Sequence, residues 1–346
     1  MPRPDRIELI LKPTPCHPLL RASERLGIEL WVKRDDLTGF ALGGNKGRKL
    51  EYLMADVLRT GADVVVASGA AQSNFVRQLG AACARFGIRC VAAVMDLPFY
   101  VAAGKPASPG LSKDGGNVLL DAMLGVELRY FEDGDWKDLE VHSIRVAEEL
   151  ASQGLRVYRM AVGGSSVLSA LAFREAAQEA QSQGGDFDGI VTPSSSGSTH
   201  AGIAYHFAGS STRVIGISAD PDPENVLAHD IAELCAQLDS LLGERRGVRL
   251  DQIDLRQDWA GEGYSVPSEA GARANEFLAR AEGLFLDPVY TSKAFAGLME
   301  LARTGELRGK TLFWHTGGYP TIFTAPGWTA SPLEPSESAS SQGKGS

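Results

Sequence analysis

Short runs of β-branched and small apolar residues alternate with stretches of helical spacing through most of this 346-residue chain. That alternation restricts the fold more than any other feature. Lys46 opens a stretch with apolar residues at Leu50, Leu53, Met54, Val57 and Leu58, and Gly61 follows where a helix C-cap belongs. Asp63-Val-Val-Val-Ala-Ser-Gly69 then reads as a buried strand, a helix runs from about Ser73 to before Gly87, and Ile88-Arg-Cys-Val-Ala-Ala-Val-Met95 is a second strand. Strand, helix and strand in that order form a right-handed crossover with parallel strands.

The pattern continues with a helix over 117–124, a strand over 126–131, a helix over 139–151 and a strand over 155–161. It resumes with a strand over 189–192, a helix from about Thr199, a strand over 213–218, helices over 268–282 and 292–304, and a final strand over 310–314. The expected fold class is therefore α/β, doubly wound, with mostly parallel sheets. Such sheets bind ligands beyond the carboxyl ends of their strands, so the segments that follow strands deserve the closest reading. The chain is long enough for two domains or one large α/β unit. Residues 98–116 are expected to form a long loop, and the tail 326–346, rich in Ser, Pro and Gly, is expected to be disordered.

Several partner classes are excluded at this stage. A net charge of −9 and the lack of a basic stripe argue against nucleic acid. No apolar run approaches the roughly 20 residues of a membrane span, and the first residues lack the apolar core of a signal peptide, so the expected location is cytoplasmic. Cys16, Cys83, Cys90 and Cys235 follow neither a Cys-x-x-Cys nor a zinc-type spacing, so no metal site is expected and the thiols read as reduced. The Lys33-Arg34-Asp35-Asp36 cluster reads as a solvated turn with local ion pairs.

Four segments that follow strands carry candidate chemistry. Ser68-Gly-Ala-Ala-Gln-Ser-Asn74 opens a helix, where it is either a plain cap with Ser73 or a carboxylate or phosphate site. Thr192-Pro-Ser-Ser-Ser-Gly-Ser-Thr-His-Ala-Gly202 crowds hydroxyls and a glycine between strand and helix, which suits a phosphate cradle. It is not a Walker A loop, because no Gly-Lys-Ser/Thr ends it, and no Gly-x-Gly-x-x-Gly follows a strand. Asp287-Pro-Val-Tyr290 brings a tyrosine to a helix start, where packing and chemistry are both open readings. His315-Thr-Gly-Gly318 follows the last strand with two glycines that permit close backbone approach. Together with Lys46 behind Gly43 and Gly44, these features fit pyridoxal 5'-phosphate, which needs a lysine amine, a phosphate anchor and a partner for its ring nitrogen.

Gly43-Gly-Asn-Lys-Gly-Arg-Lys-Leu-Glu-Tyr-Leu53, Gln72-Ser-Asn74, Asp287-Pro-Val-Tyr290 and His315-Thr-Gly-Gly318 resemble, in order and spacing, the family of D-cysteine desulfhydrase and 1-aminocyclopropane-1-carboxylate deaminase. The resemblance implies the pyridoxal-phosphate fold type II, tryptophan synthase β-like. It implies a large cofactor-binding domain from residues 1–47 and 161–325, a small α/β domain from 48–160, and a homodimer. By the same resemblance Lys46 carries the cofactor's Schiff base, Asn74 bonds its phenolic oxygen, and Ser195, Ser196, Gly197, Ser198 and Thr199 hold its phosphate. Gln72, Ser73 and Asn74 seat the carboxylate of a small amino-acid substrate, and Tyr290 lies at the reacting carbon. Lys46, Tyr290 and Ser73 are thus the catalytic candidates.

The departures from the family pattern bear on the reaction. Thr291 stands where the deaminases carry Glu, so the ring nitrogen would meet a hydroxyl of Thr291 or Thr316, and a hydroxyl favours ring protonation less than a carboxylate does. That argues for α,β-elimination from D-cysteine or cysteate, giving pyruvate, ammonia and sulfide or sulfite, with either the Lys46 amine or Tyr290 taking the α-proton. Phe75 replaces the usual His or Gln after Ser-Asn, and Gly163-Gly-Ser-Ser-Val-Leu-Ser169 lacks the usual Asn-Ala-Leu-Gly. The alternatives are cyclopropane ring opening, racemisation or β-replacement on the same scaffold, and a noncatalytic protein that binds a phosphorylated metabolite.

Overall fold

The computed structural model describes residues 4–328 of the chain. The order of elements is β1 (Cys16–Pro18), α1 (Leu20–Leu26), β2 (Glu29–Arg34), α2 (Lys46–Thr60), β3 (Val64–Ala70), α3 (Asn74–Phe86) and β4 (Arg89–Met95). There follow α4 (Gly116–Met123), β5 (Glu127–Tyr130), α5 (Trp136–Ser152), β6 (Val157–Arg159), α6 (Val167–Gly184), β7 (Gly189–Ser194) and α7 (Ser198–Phe207). The last are β8 (Arg213–Ser218), α8 (Val226–Leu242), β9 (Asp254–Arg256), α9 (Glu269–Glu282), α10 (Thr291–Arg303) and β10 (Lys310–His315).

The strands form two sheets. The smaller has the order β5-β4-β3-β6 and is parallel throughout, with Val65 opposite Cys90 and Val66 opposite Arg159. The larger has the order β1-β2-β10-β7-β8-β9 and is parallel except at β1, which runs antiparallel to β2. Each sheet is covered on both faces, as parallel sheets require. In the smaller, Leu50, Leu79 and Val94 pack on one side and Val64, Val91 and Leu150 on the other. In the larger, Phe295, Leu298 and Phe313 fill the side under α9 and α10, while Phe173, Ile190 and Trp314 fill the side under α6 and α7.

The expected alternation omits α1, β1, β2, α6, α8 and β9. Two of these omissions have clear causes. Ala-rich α6 buries Ala170, Ala172, Ala176, Ala177 and Ala180, so its apolar face is made of residues that carry little hydropathy signal. In β2, Glu29–Arg34 mixes charged and apolar residues, and its last charges hide its strand character. The expected disordered tail lies outside the described residues from Thr329 onward.

One expectation is half overturned: the local ion pair is present, with Arg34 Nη2 donating to Asp36 at 2.7 Å, but the setting is not solvated. Lys33, Asp35 and Asp36 form no solvated turn: they are 0%, 0% and 3% exposed. Lys33 donates to Glu179 at 2.6 Å and to the Thr14 carbonyl at 2.8 Å. Arg48 grips Asp35 through Nε at 2.9 Å and Nη2 at 2.8 Å and also reaches Glu179, while the Trp314 indole donates to Asp35 at 2.9 Å. Burial pushes the Glu179 carboxyl up, but Arg48 and Lys33 outweigh it and hold the group down to about 2. Asp36 pairs with its near neighbour Arg34, whereas Lys33 finds Glu179 146 residues away, and Asp35 finds Arg48 13 residues away and Trp314 279 residues away.

Another buried carboxyl is not hydrogen-bonded: both oxygens of Asp121 on α4 lack a partner among the described residues. Burial pushes its pKa up to about 8, against the opposing charge of Arg77. Because an unfolded aspartate titrates near 3.9, the folded chain binds the extra proton between about pH 4 and about pH 8, and its stability falls as pH rises through that window. Asp121→Asn is therefore expected to gain thermal stability over wild type at pH 8 and little at pH 4.5. Melting curves at the two pH values check this, and an equal difference at both would contradict it.

Candidate active site

The carboxyl ends of β3, β7 and β10 open onto one cleft, and the start of α2 enters it from the side. Lys46, Asn74, Ser195, Ser196, Gly197, Thr199, Tyr290 and Thr316 share its wall. Ser73 and Phe75 border the adjoining space, again with Lys46 and Tyr290. The backbone explains the two glycines before Lys46. At Gly317, φ is +89°, and an added Cβ would sit 2.8 Å from Gly44 Cα. Only glycines at 44 and 317 let the segment leading to α2 press against the turn after β10. That contact, with Asn45 N–H donating to the Thr316 carbonyl at 3.0 Å, brings Lys46 and Thr316 into one wall.

Lys46 makes no hydrogen bond among the described residues, and its Nζ lies 5.9 Å from the centre of the Tyr290 ring. Desolvation lowers its pKa to about 8, with Asp287 pulling the other way. Lys49, one turn on, is also buried, and its Nζ donates to the Gly163 carbonyl at 3.1 Å.

The turn between β7 and α7 fits a phosphate. Gly197 has φ +83°, a conformation open to glycine, and it caps α7 without a side-chain hydrogen bond. The first N–H groups of a helix have no intrahelical acceptor. The Ser198 hydroxyl beside them is buried and has no partner among the described residues. Unpaired donors gathered at a helix N-terminus are what an anion would complete. Asn45 Nδ2 donates to Thr199 Oγ1 at 3.2 Å, which ties this turn to the residue preceding Lys46. Lysine amine, anion cradle and Asn74 thus fit pyridoxal 5'-phosphate.

Two candidate residues have other engagements. The Gln72 amide donates to the carbonyls of Ser112 at 2.8 Å and Gly115 at 3.2 Å, and its Oε1 accepts from Asn117 N–H, so the side chain holds the 112–117 loop away from the cleft. The Thr291 hydroxyl donates to Asp287 at 2.6 Å and accepts from the Asp287 N–H, so Thr316 is the threonine on the cleft wall. The Asp-Pro-Val-Tyr stretch is built around that same carboxylate. Asp287 accepts from the N–H groups of Val289, Tyr290 and Thr291 at 2.8 to 3.0 Å, which caps α10 and fixes Tyr290 at its entrance. Ser73 caps α3 by accepting from Phe75 N–H and Val76 N–H.

Sequence reasoning missed Tyr264 and Trp136. The Tyr264 hydroxyl hydrogen-bonds with that of Tyr290. Burial, then Tyr264, push the Tyr290 phenol well above its ordinary pKa, so it stays protonated at neutral pH. Trp136 stacks edge-on against Tyr264 at 5.0 Å, and its indole donates to Asp220 at 2.8 Å. Neither lies next to a motif, and only the tertiary approach of α5 to the larger sheet brings them in. His200 was within the serine-rich stretch but unassigned; it lines the cleft, and burial lowers its pKa to about 4, so it is neutral. Beyond Trp136, Ser195 and Ser196 the cleft widens into a cavity of about 420 Å³ bordered by Glu140, Asp220, Asp230 and Glu233, with Lys137 the one cation among its lining residues.

A family model described as pyridoxal-phosphate dependent enzyme matches residues 7–317. D-cysteine desulfhydrases of Salmonella paratyphi B and Salmonella newport are each 38% identical over 326 residues, covering 92% of this chain and 95% of theirs. A crystal structure of an ACC deaminase homologue superposes with a TM-score of 0.83 at 35% identity, covering 92% of this chain and 93% of that one. A lysine-to-alanine mutant of O-ureido-L-serine synthase, bound to O-ureido-L-serine, superposes with a TM-score of 0.62 at 18% identity over 91% of each chain, a likeness of fold alone.

Proposed function

The chain belongs to the pyridoxal-phosphate dependent enzyme family, and from that premise we propose that it eliminates sulfide from D-cysteine. It is a pyridoxal-phosphate-dependent lyase of mostly parallel α/β fold, type II. The reaction converts cysteine and water into pyruvate, ammonia and hydrogen sulfide. The observation that carries the reading is one cleft shared by the Lys46 amine, the hydroxyl-rich turn and the Tyr290 phenol, in a chain 38% identical to D-cysteine desulfhydrases.

Pyridoxal phosphate, when bound, supplies an electron sink for negative charge at the substrate α-carbon. Lys46 would hold it, Asn74 would face its phenolic oxygen, and the Ser195–Thr199 turn would hold its phosphate. Lys46, with an amine pKa near 8, has an appreciable neutral fraction at neutral pH and is suited to accept the α-proton at Nζ. Tyr290, protonated and braced by Tyr264, is suited to donate from its hydroxyl to the departing sulfur. These pKa values favour the amine over the tyrosine as base. Ser73, at the start of α3, would receive the substrate carboxylate beside a helix N-terminus. Phe75, packed where a Cβ on Gly164 would touch it at 2.4 Å, walls the site against larger β-substituents.

Acidic side chains at the outer cavity favour D-cysteine over cysteate, whose second anionic group would approach Glu140, Asp220, Asp230 and Glu233. The test is a product screen across D- and L-cysteine, cysteate, β-chloroalanine and the cyclopropane amino acid. Equal amounts of pyruvate and sulfide are expected from D-cysteine, with kcat/KM for cysteate lower by at least about tenfold, or about 1.4 kcal/mol. Dominant formation of 2-oxobutanoate from the cyclopropane substrate would assign ring opening instead, and no keto acid from any substrate would exclude lyase chemistry.

The proposal extends to organisation. The two sheets support a small domain over 48–160 set in a large one over 1–47 and 161–325. A homodimer, as the family resemblance implies, is part of the proposal, and light scattering of the holoenzyme checks it. The four free cysteines support a reducing, cytoplasmic setting, which cell fractionation checks.

A further inference from the structure

A carboxamide can present either its oxygen or its nitrogen to a neighbour, and buried neighbours with one fixed role decide which. Asn117, at the start of α4, is fully buried and has such neighbours on both sides. Arg77 Nη1, which can only donate, reaches Asn117 Oδ1 at 3.2 Å. The Gln72 carbonyl, which can only accept, receives Asn117 Nδ2 at 2.7 Å. The amide of Asn117 therefore has one permitted orientation. Its second Nδ2 proton goes to Asn74 at 2.9 Å, so the atom of Asn74 that meets it must be the acceptor Oδ1. That leaves Asn74 Nδ2 without a partner among the described residues, and Asn74 borders the cleft beside Lys46.

We propose that Arg77 and Asn117 are positioning residues that lock Asn74 with its amide nitrogen toward the cofactor, so that the cleft offers the phenolic oxygen a donor and never an acceptor. The inference rests on the reading that Asn74 faces that oxygen. Arg77 is itself fixed. Its Nη2 donates to the Gly43 carbonyl at 3.0 Å, where Gln78 Nε2 also donates at 2.9 Å, three residues before Lys46. One guanidinium thus sets both the backbone leading to the lysine and the polarity of the asparagine. Asp121 lies near enough to act on its charge but makes no hydrogen bond to it, so the guanidinium remains free to hold Asn117.

A donor at the phenolic oxygen stabilises negative charge there, so it favours the form of the bound cofactor with the more exposed anion. Its loss moves the pH midpoint of the cofactor's visible absorption upward. The experiment titrates that absorption in wild-type holoenzyme and in the Asn74→Ala, Asn117→Leu and Asn117→Asp variants, with a melting curve for each. A carboxylate at position 117 can only accept, so Asn74 must turn its nitrogen to it and show its oxygen to the cofactor. The expected midpoint in Asn117→Asp is higher than wild type by about one pH unit, at least as far as in Asn74→Ala. Asn117→Leu, which frees the amide to rotate, is expected between wild type and Asn74→Ala, and it carries the test alone if the aspartate variant does not fold. A wild-type midpoint in the Asn117 variants with a shifted one in Asn74→Ala overturns the locking. An unshifted Asn74→Ala instead removes the reading on which it rests.

Discussion

Lys46→Ala is expected to lower turnover by at least about 10³-fold, the scale of a lost general base and covalent anchor combined. Lys46→Arg should be as inactive, and that second variant separates two explanations. Arginine preserves positive charge in the cleft but cannot lose its proton, so an electrostatic role would survive the change and an amine role would not. The fold is expected to tolerate both. Lys46 makes no hydrogen bond among the described residues, and its lowered pKa means that the folded chain disfavours its charge. Without cofactor, wild-type stability should rise with pH between about 8 and about 10.4, because the unfolded lysine holds its proton through that window and the folded one does not. The alanine variant should lack that rise. Steady-state pyruvate release and melting curves read both effects, and activity within tenfold of wild type would remove Lys46 from the mechanism.

Arg48→Met is expected to cost about 3–5 kcal/mol of stability, because it removes the cation paired with buried Asp35 and one of the two paired with Glu179. Asp35 would keep only Thr14 and Trp314, and Glu179 would keep Lys33 and the Thr14 N–H. The thermal midpoint should fall by roughly 10 °C. Arg59→Met is the control. Arg59 also forms an ion pair, with Asp56 at 2.5 Å, but its side chain is 69% exposed and no measurable loss is expected. Equal melting points for the two variants would show that the buried cluster is no more valuable than a surface pair. Because Arg48 lies two residues after Lys46 on α2, the holoenzyme should also lose cofactor more readily as this anchor fails.

How far the site was legible depends on the kind of information each residue carries. Lys46, Ser73, Asn74, the Ser195–Thr199 turn, Tyr290 and Thr316 all lie immediately after strands or at helix starts, and such positions announce themselves through local composition. Tyr264 and Trp136 lie in segments with no pattern, so their approach to Tyr290 was invisible. Gln72 and Thr291 sat inside legible motifs, yet their side chains turned to Asn117 and to Asp287. A motif places a backbone, and the nearest unsatisfied partner decides where the side chain goes.

The chain's own order of residues determined the parallel α/β architecture, the lysine behind two glycines and the hydroxyl-rich turn, because strand and helix periodicity and helix capping are properties of neighbours in sequence. The tertiary structure alone decided that Lys33, Asp35 and Asp36 are interior, which amine and phenol are desolvated, and which atom of Asn74 meets Asn117. Each of those depends on desolvation and on partners such as Glu179, Trp314, Tyr264 and Asn117, whose distance along the chain says nothing of their distance in space.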